Sequence, residues 1–405
     1  MGDARAGRRS RPGITRDGRD VVRALLVVPR LPGTGFTGDR VRAELHLEAL
    51  AELGARVTIV GGVPPNRPVA AVAGAEEVRG VPIRVSALPF HLARAAVRGW
   101  PLQTSLFDGD WERAFAGSGP FDLVILLLAR LHPRLGTLLP RAPLVVDYVD
   151  ALSEAARQSA EQDPALWRRL YWRAEAARLE RAERDAARGA KLLLATTPAD
   201  AAALPAGTEA IALGARVGPS PPRERGPLVV FTGRMGYRPN AVAAELLLRE
   251  IWPRVRERVP GAELVVGGAD APASLRRRAD ATPGARLVSP VPDMRALLLS
   301  ARVAAVPVDM GTGTPNKVYE ALEAGCAVVA TPAAAARAVL DDVAAPVRTA
   351  SGPEAFAREV ADLLSDAESA EALGAAGRAF AVAHADRGEF ARKLSRLLSR
   401  AAEGA

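Results

Sequence analysis

One pattern occurs twice in this chain, and that repeat restricts its folds more than any other feature. Gly54-Ala55-Arg56-Val57-Thr58-Ile59-Val60-Gly61-Gly62 is answered by Gly261-Ala262-Glu263-Leu264-Val265-Val266-Gly267-Gly268. Each follows an apolar run, a loop and an amphipathic helix. In the first half these are Val22–Val28, Gly33–Asp39 and Val41–Leu53; in the second they are Leu228–Phe231, Thr232–Asn240 and Ala241–Val259. Short continuous apolar runs bounded by glycine read as buried parallel strands, and the intervening helices make them βαβ units. Two α/β halves facing each other across a cleft are therefore expected. The length of 405 residues also exceeds what one core organises.

The remaining apolar runs extend the pattern. Phe121–Leu128, Leu144–Val146, Lys191–Ala195, Leu287–Val288, Val303–Val308 and Ala327–Ala330 read as strands. Leu166–Arg188, Met294–Ser300, Pro353–Leu364, Ala370–Phe380 and Asp386–Ala402 read as helices. Residues 1–20, rich in Arg, Gly and Asp, read as a disordered basic tail. The boundaries expected are an N-terminal domain over 21–204, a linker over 205–227 containing GPSPPRERGP, a C-terminal domain over 228–384 and a final helix in 385–405.

Composition narrows the partners. The net charge of +8 rests almost wholly on arginine, since only Lys191, Lys317 and Lys393 are lysines. The arginines are spread along the chain, and no zinc-finger, RRM or KH pattern occurs, so no nucleic-acid partner is expected. Attraction to an anionic membrane surface stays open, with His91–Trp100 as the stretch that could rest there or act as a plain surface helix. The longest apolar run, Leu123–Ala129, is far short of a membrane span. The N-terminus has arginines but no apolar secretory segment. The single Cys326 excludes an internal disulfide and fits a reducing, cytoplasmic compartment.

The chemistry concentrates in Thr312–Thr331, TGTPNKVYEALEAGCAVVAT. A glycine- and threonine-rich loop leaves a strand and enters a helix over Asn316–Ala324, with Asn316 read as N-cap and Gly325 as the residue after the C-cap. Loops at the carboxyl ends of parallel strands bind ligands in open α/β sheets. Free N–H groups and the helix dipole make such a helix start an anion site. Lys317 adds a cation and Glu320 a carboxylate one turn on, although a solvated surface pair is the plain alternative.

This stretch resembles the donor-binding helix of the retaining glycosyltransferases usually called family 4, which have the GT-B fold: α/β, two facing Rossmann-like domains with a central cleft. Such enzymes carry two glutamates separated by seven residues; Glu320 matches the second, and Thr312 stands where the first would be. Phe231-Thr232-Gly233-Arg234-Met235-Gly236-Tyr237-Arg238-Pro239-Asn240 resembles the family's diphosphate grip, with Arg234 and Arg238 as its cations. The resemblance implies catalytic roles for Arg234, Lys317 and Asp150. It implies donor binding by Gly35, Gly38, Gly233, Arg238, Thr312, Gly313, Asn316, Val318 and Glu320. Asp150 lies in VVDYVDALS, where Val149 takes the place of the family's histidine; Asp150 serves equally well as the N-cap of the following helix. The pairing of these motifs looks like a bacterial exopolysaccharide-associated subgroup, with the final helix packing back on the first domain.

The resemblance implies transfer from a nucleoside-diphosphate sugar to a saccharide, lipid-linked or small-molecule acceptor, with retention, no cofactor and no metal. The alternatives are an inactive GT-B donor-binding or scaffold protein and, more remotely, a GT-B nucleotide-sugar epimerase. Two further motifs read otherwise. Gly33, Gly35 and Gly38 spell G-x-G-x-x-G, but four residues separate them from the strand and no acid ends the second strand, so a dinucleotide site is disfavoured. A tight loop without function, or a loop that lets backbone approach the donor diphosphate, remains. Asp108-Gly109-Asp110 has the form of a metal-binding D-x-D but reads as a turn.

Overall fold

The structure, a computed structural model, describes residues 21–33, 38–66, 68–84, 88–117, 119–219, 225–340 and 343–403. The expected tail and Gly35 lie outside the described residues. The first sheet takes β1 (Arg23–Val28), β2 (Arg56–Val63), β3 (Glu77–Pro82), β4 (Leu123–Leu127), β5 (Leu144–Asp147), β6 (Leu192–Ala195) and β7 (Thr208–Ala210). Their order is β3-β2-β1-β4-β5-β6-β7. The second takes β8 (Leu228–Thr232), β9 (Glu263–Gly267), β10 (Ala285–Val288), β11 (Val303–Val306) and β12 (Ala327–Ala330). A small hairpin, β13 (Val339–Leu340) with β14 (Val343–Ala344), follows, and β15 (Arg348–Thr349) completes the second sheet in the order β10-β9-β8-β11-β12-β15. Every pairing in the two main sheets is parallel.

Both sheets reverse direction beside their first strand, between β1 and β4 and between β8 and β11. Loops on either side of such a reversal diverge and leave a crevice at the carboxyl ends of the strands. Central strands such as β4 and β11 are apolar and buried from end to end because helices cover both faces, whereas the edges are partly exposed.

Several boundaries differ from expectation for physical reasons. The stretch expected to start a linker at 205 contributes β7, whose Thr208–Ala210 adds to the edge of the first sheet. β3 lies in a stretch with no apolar run; it pairs with β2 along its whole length but is only partly buried. The helix expected over Ala241–Val259 is Arg238–Leu246, a π turn at Leu247–Ile251, then Trp252–Arg258. Pro253 cannot donate to the carbonyl four residues back, and the wider turn accommodates it. The last helix, Arg387–Glu403, returns to the first domain: Arg387 Nε pairs with Glu48 at 2.8 Å.

Candidate functional site: the cleft corner at the strand ends

Gly233 and Gly268 end neighbouring strands and touch through their backbones. A Cβ on Gly268 would lie 1.7 Å from the Gly233 carbonyl oxygen, and both residues sit at positive φ, +153° and +156°. Only glycine allows that approach. It seats Asn240, whose Nδ2 donates to the Arg234 carbonyl at 3.0 Å while its Oδ1 accepts from Lys317 Nζ. Asn240 thus joins the two expected motifs. It was missed because an Asn beside a proline at a helix start reads as local cap chemistry.

The helix carrying Lys317 runs Asn316–Glu323, and its N-cap is Pro315, not Asn316. Asn316 is the first helical residue, and its Oδ1 is buried without a hydrogen-bond partner among the described residues. Gly325 does follow the C-cap, at φ +73°. Glu320 lies beyond the first turn, where the helix dipole gives a carboxylate little support. Burial pushes the Glu320 carboxyl up to about 7 against the opposing charge of Lys317. Burial likewise lowers the Lys317 ammonium to about 8, despite the pull of Glu320. Lys317 makes no ion pair among the described residues and stands 5.2 Å from the Phe231 ring centre. Val318 is fully buried and supports the helix from beneath.

The expected free N–H groups of the loop are engaged across the cleft. Gly311 N–H donates to Gln158 Oε1 at 3.1 Å, and Gly313 N–H to Asp200 Oδ2 at 3.1 Å. Thr314 N–H donates to Thr196 Oγ1 at 3.1 Å. Asn316 and Val318 N–H groups bond to the Thr314 and Pro315 carbonyls. Thr312, where the resemblance puts a glutamate, donates its hydroxyl to Asp150 Oδ2 at 3.0 Å.

Asp150 is therefore not an N-cap. The helix Leu152–Gln162 is capped at Ala151 with no side-chain bond. Its leading N–H groups go instead to carboxylates distant in sequence: Ala151 N–H to Asp200 Oδ1 at 3.1 Å and Ser153 N–H to Glu183 Oε1 at 3.0 Å. With those ends satisfied, the Asp150 side chain is released toward the cleft. Burial, then the Asp200 charge, pushes it up to about 7 against the Thr312 hydrogen bond and Arg130. Val149 before it sits at φ +66°, an outlier for a β-branched residue. Asp147 Oδ1 holds that turn by accepting from Val149 N–H at 2.9 Å.

Arg234 and Arg238 reach this corner already paired. Arg234 Nε lies 2.5 Å from Asp270, and Arg238 Nη2 spans the cleft to Asp163 at 3.1 Å. Arg337, unnoticed in the sequence, faces Lys317, Asp200, Tyr237 and Asp309, and burial lowers its guanidinium. Gly38 opens the first helix, exposed, with open space where a Cβ would stand. Asp110 caps the helix Trp111–Phe115, as a turn residue should. Asp108 does more than turn: it is buried against His91 and Arg94, both at 2.6 Å.

Comparison with known proteins bears on the second domain and on the fold. Residues 226–366 match the family model described as glycosyl transferases group 1, a span that holds the Arg234, Asn240, Lys317 and Glu320 positions. No curated protein sequence matches. Among solved structures, HepE of Anabaena, in complex with UDP and glucose, is similar at 14% identity and TM-score 0.63, covering 94% of this chain and 100% of its own. WaaG, a glycosyltransferase involved in lipopolysaccharide biosynthesis, gives 16% and 0.62, covering 93% and 99%. TarM of S. aureus, in complex with UDP among other ligands, gives 8% and 0.65, covering 93% and 100%. The fold is GT-B: two parallel-sheet, Rossmann-like domains.

Proposed function

We propose that the protein is a glycosyltransferase of the family 4 type, moving a sugar from a nucleoside-diphosphate donor to a hydroxyl acceptor with retention, in polysaccharide or glycoconjugate synthesis. The second domain takes the donor and the first takes the acceptor. The observation that carries the reading is Lys317, a half-buried ammonium at a cleft-facing helix start whose direct partner is the neutral Asn240 amide. A desolvated ammonium that no direct ion pair holds is costly even with Glu320 nearby, and an anion supplied from outside answers it. The unpartnered Asn316 Oδ1 beside it is an acceptor suited to a donor hydroxyl or base amine. Glu320 can accept from the two hydroxyls of a ribose.

Departure of the nucleoside diphosphate places negative charge on the leaving phosphate oxygen. Lys317 stabilises that charge more in the transition state than in the ground state. Arg234 and Arg238 can join it by leaving Asp270 and Asp163, a bidentate exchange that guanidinium geometry suits. The departing oxygen then takes the acceptor's proton as the acceptor attacks from the same face, which gives retention without a protein base in the place of Val149. Ionised Asp150, held beside Thr312, accepts a hydrogen bond that orients the acceptor. Peripheral contact with an anionic membrane belongs to the reading, because Phe90 and Val97 are exposed on the helix Leu88–Val97 near Arg94 and Arg98. Among the described residues, no helix is long and apolar enough to cross a membrane.

Fixed cations take the metal's part in this scheme, so turnover is expected to survive a chelator. Purified protein incubated with nucleotide sugars should release the nucleoside diphosphate equally with and without EDTA. Loss with EDTA and recovery with Mn²⁺ or Mg²⁺ would overturn the metal-free mechanism. Donor binding without any release would favour the donor-binding or scaffold alternative that Thr312 and Val149 motivate.

A further inference from the structure

Asp200 has no part in the scheme above, yet its one carboxylate holds backbone N–H groups on both walls of the cleft. It sits at the third position of the helix Pro198–Ala203, 3% exposed, and Thr197 caps that helix by accepting from Asp200 N–H at 3.0 Å. The Thr197 hydroxyl donates to Asp200 Oδ2. Asp200 Oδ1 accepts from Ala151 N–H at 3.1 Å, on the wall of the first domain that carries Asp150. The same carboxylate accepts from Gly313 N–H, 3.3 Å to Oδ1 and 3.1 Å to Oδ2, on the loop of the second domain that carries Thr312.

That loop has little means of fixing itself. Gly311 and Gly313 lie at φ +118° and +79°, and glycine at such angles ranges freely in the absence of outside bonds. The neighbouring Gly311 and Thr314 N–H groups donate to neutral oxygens of Gln158 and Thr196, whereas Asp200 offers a carboxylate, and hydrogen bonds to charged groups are roughly twice as strong. A Cβ on Gly313 would lie 3.3 Å from Asp150 Cβ, so the two walls already meet there.

We propose that Asp200 is a positioning residue for sugar transfer: by holding Ala151 N–H and Gly313 N–H on one carboxylate, it sets Asp150 against Thr312 and keeps the cleft closed around the reacting groups. The proposal rests on the glycosyltransferase reading, and Asp200 itself touches no donor. The groups facing Asp150 are Thr312 on the loop, Asp200, Arg130 after β4, Glu183 on the helix Leu166–Ala187 and Tyr237 after β8. Of these, Asp200 is the carboxylate that most opposes ionisation of Asp150.

Two substitutions separate geometry from charge. Asp200→Ala removes both acceptors; Asp200→Asn keeps Oδ1, which alone accepts from both N–H groups, and removes the charge. Interdomain distance is read between spin labels on Val97→Cys and Ser274→Cys, both exposed, while the native Cys326 is buried and escapes labelling. Asp200→Ala should lengthen and broaden that distance in the ligand-free protein, and Asp200→Asn should leave it unchanged. In turnover, Asp200→Ala should lower kcat by about tenfold to a hundredfold, the usual cost of misplacement near 1 Å, with little change in donor KM. Asp200→Asn should retain kcat but move the acid limb of its pH profile to lower pH, because Asp150 then ionises without a neighbouring negative charge. A purely structural residue would shift neither the limb nor the distance. An unchanged distance in Asp200→Ala, or an unmoved limb in Asp200→Asn, would overturn the proposal. No turnover by wild-type protein on any nucleotide sugar would instead overturn the glycosyltransferase reading, and the distance measurement would still decide whether Asp200 holds the cleft.

Discussion

Replacing Lys317 by methionine is expected to lower turnover by about 10²–10³-fold, in line with the roughly 2.7–4 kcal/mol lost when one fixed donor to a developing negative charge is removed. The half-buried side chain lies over the Phe231 ring, and its direct partner is the uncharged Asn240 amide. Glu320 pulls on it only through space, and no ion pair among the described residues holds it before the leaving phosphate develops charge. Methionine retains the length and the packing while removing the charge. Fold stability should hold or rise, because an ammonium that burial holds down at about 8 is a cost to the folded state. The fall should appear in kcat and in kcat/KM alike, the mark of an interaction made in the transition state. A variant that lost several degrees of Tm and kept its turnover would make Lys317 a structural residue.

The second large effect concerns stability. Asp147 ends β5 and lies fully buried between two residues one turn apart on the first helix: Arg42 Nε and His46 Nε2, each at 2.6 Å. Asp147→Ala would strand the Arg42 charge in the core, where, among the described residues, the guanidinium keeps the Ile211 carbonyl at 2.6 Å. Breaking a buried pair from one side costs about 3–5 kcal/mol, and denaturant unfolding should show a loss of that size. A loss of about 1 kcal/mol or less, typical of exposed pairs, would mean that water reaches Arg42. The substitution should also slacken the Val149 turn that Asp147 Oδ1 holds, and with it Asp150.

The same cluster fixes the direction of the acid response. Burial pushes the Asp147 carboxyl up, but the Arg42 charge and the His46 hydrogen bond outweigh it and leave it below its usual 3.8. Burial lowers His46 below 6.5 despite Asp147. In both cases the unfolded chain binds protons more readily than the fold does. Stability from this cluster should therefore fall as pH drops, beginning below about 6.5 with His46 and continuing through 3.8 with Asp147.

Much of the architecture was legible because it is written locally. β11, β12 and the helix Met294–Ser300 are apolar runs with clear ends, and the repeated GA-strand-GG pattern marks the same position, β2 and β9, in both sheets. Lys317 and Glu320 were legible as a cation and a carboxylate on one helix face. What the sequence hid are the groups that close the site from far away. Asp200 meets Gly313 across 113 positions, and Arg42 meets Asp147 across 105. Neither pairing leaves a trace in local spacing. Asp150 shows the limit most plainly, because a cap reading assumes that a helix start uses nearby oxygens. Here Asp200 and Glu183 supply them from other elements. One clue was available: Arg42 and His46 fall four apart on an apolar helix face, where polar side chains imply a buried partner.

The central claim, that this corner binds a nucleoside-diphosphate sugar, stands most directly on Glu320. Isothermal titration of a nucleoside diphosphate and its 2′-deoxy analogue, into wild-type protein and Glu320→Gln, reads the ribose contact alone. The titration belongs on the alkaline side of about 7, where the Glu320 carboxyl is charged. Wild-type protein should prefer the ribonucleotide, and Glu320→Gln should lose roughly 1.5–3 kcal/mol of binding and most of that preference, the range for hydrogen bonds to a charged group. Equal discrimination by both proteins, or no binding by either, would contradict the account.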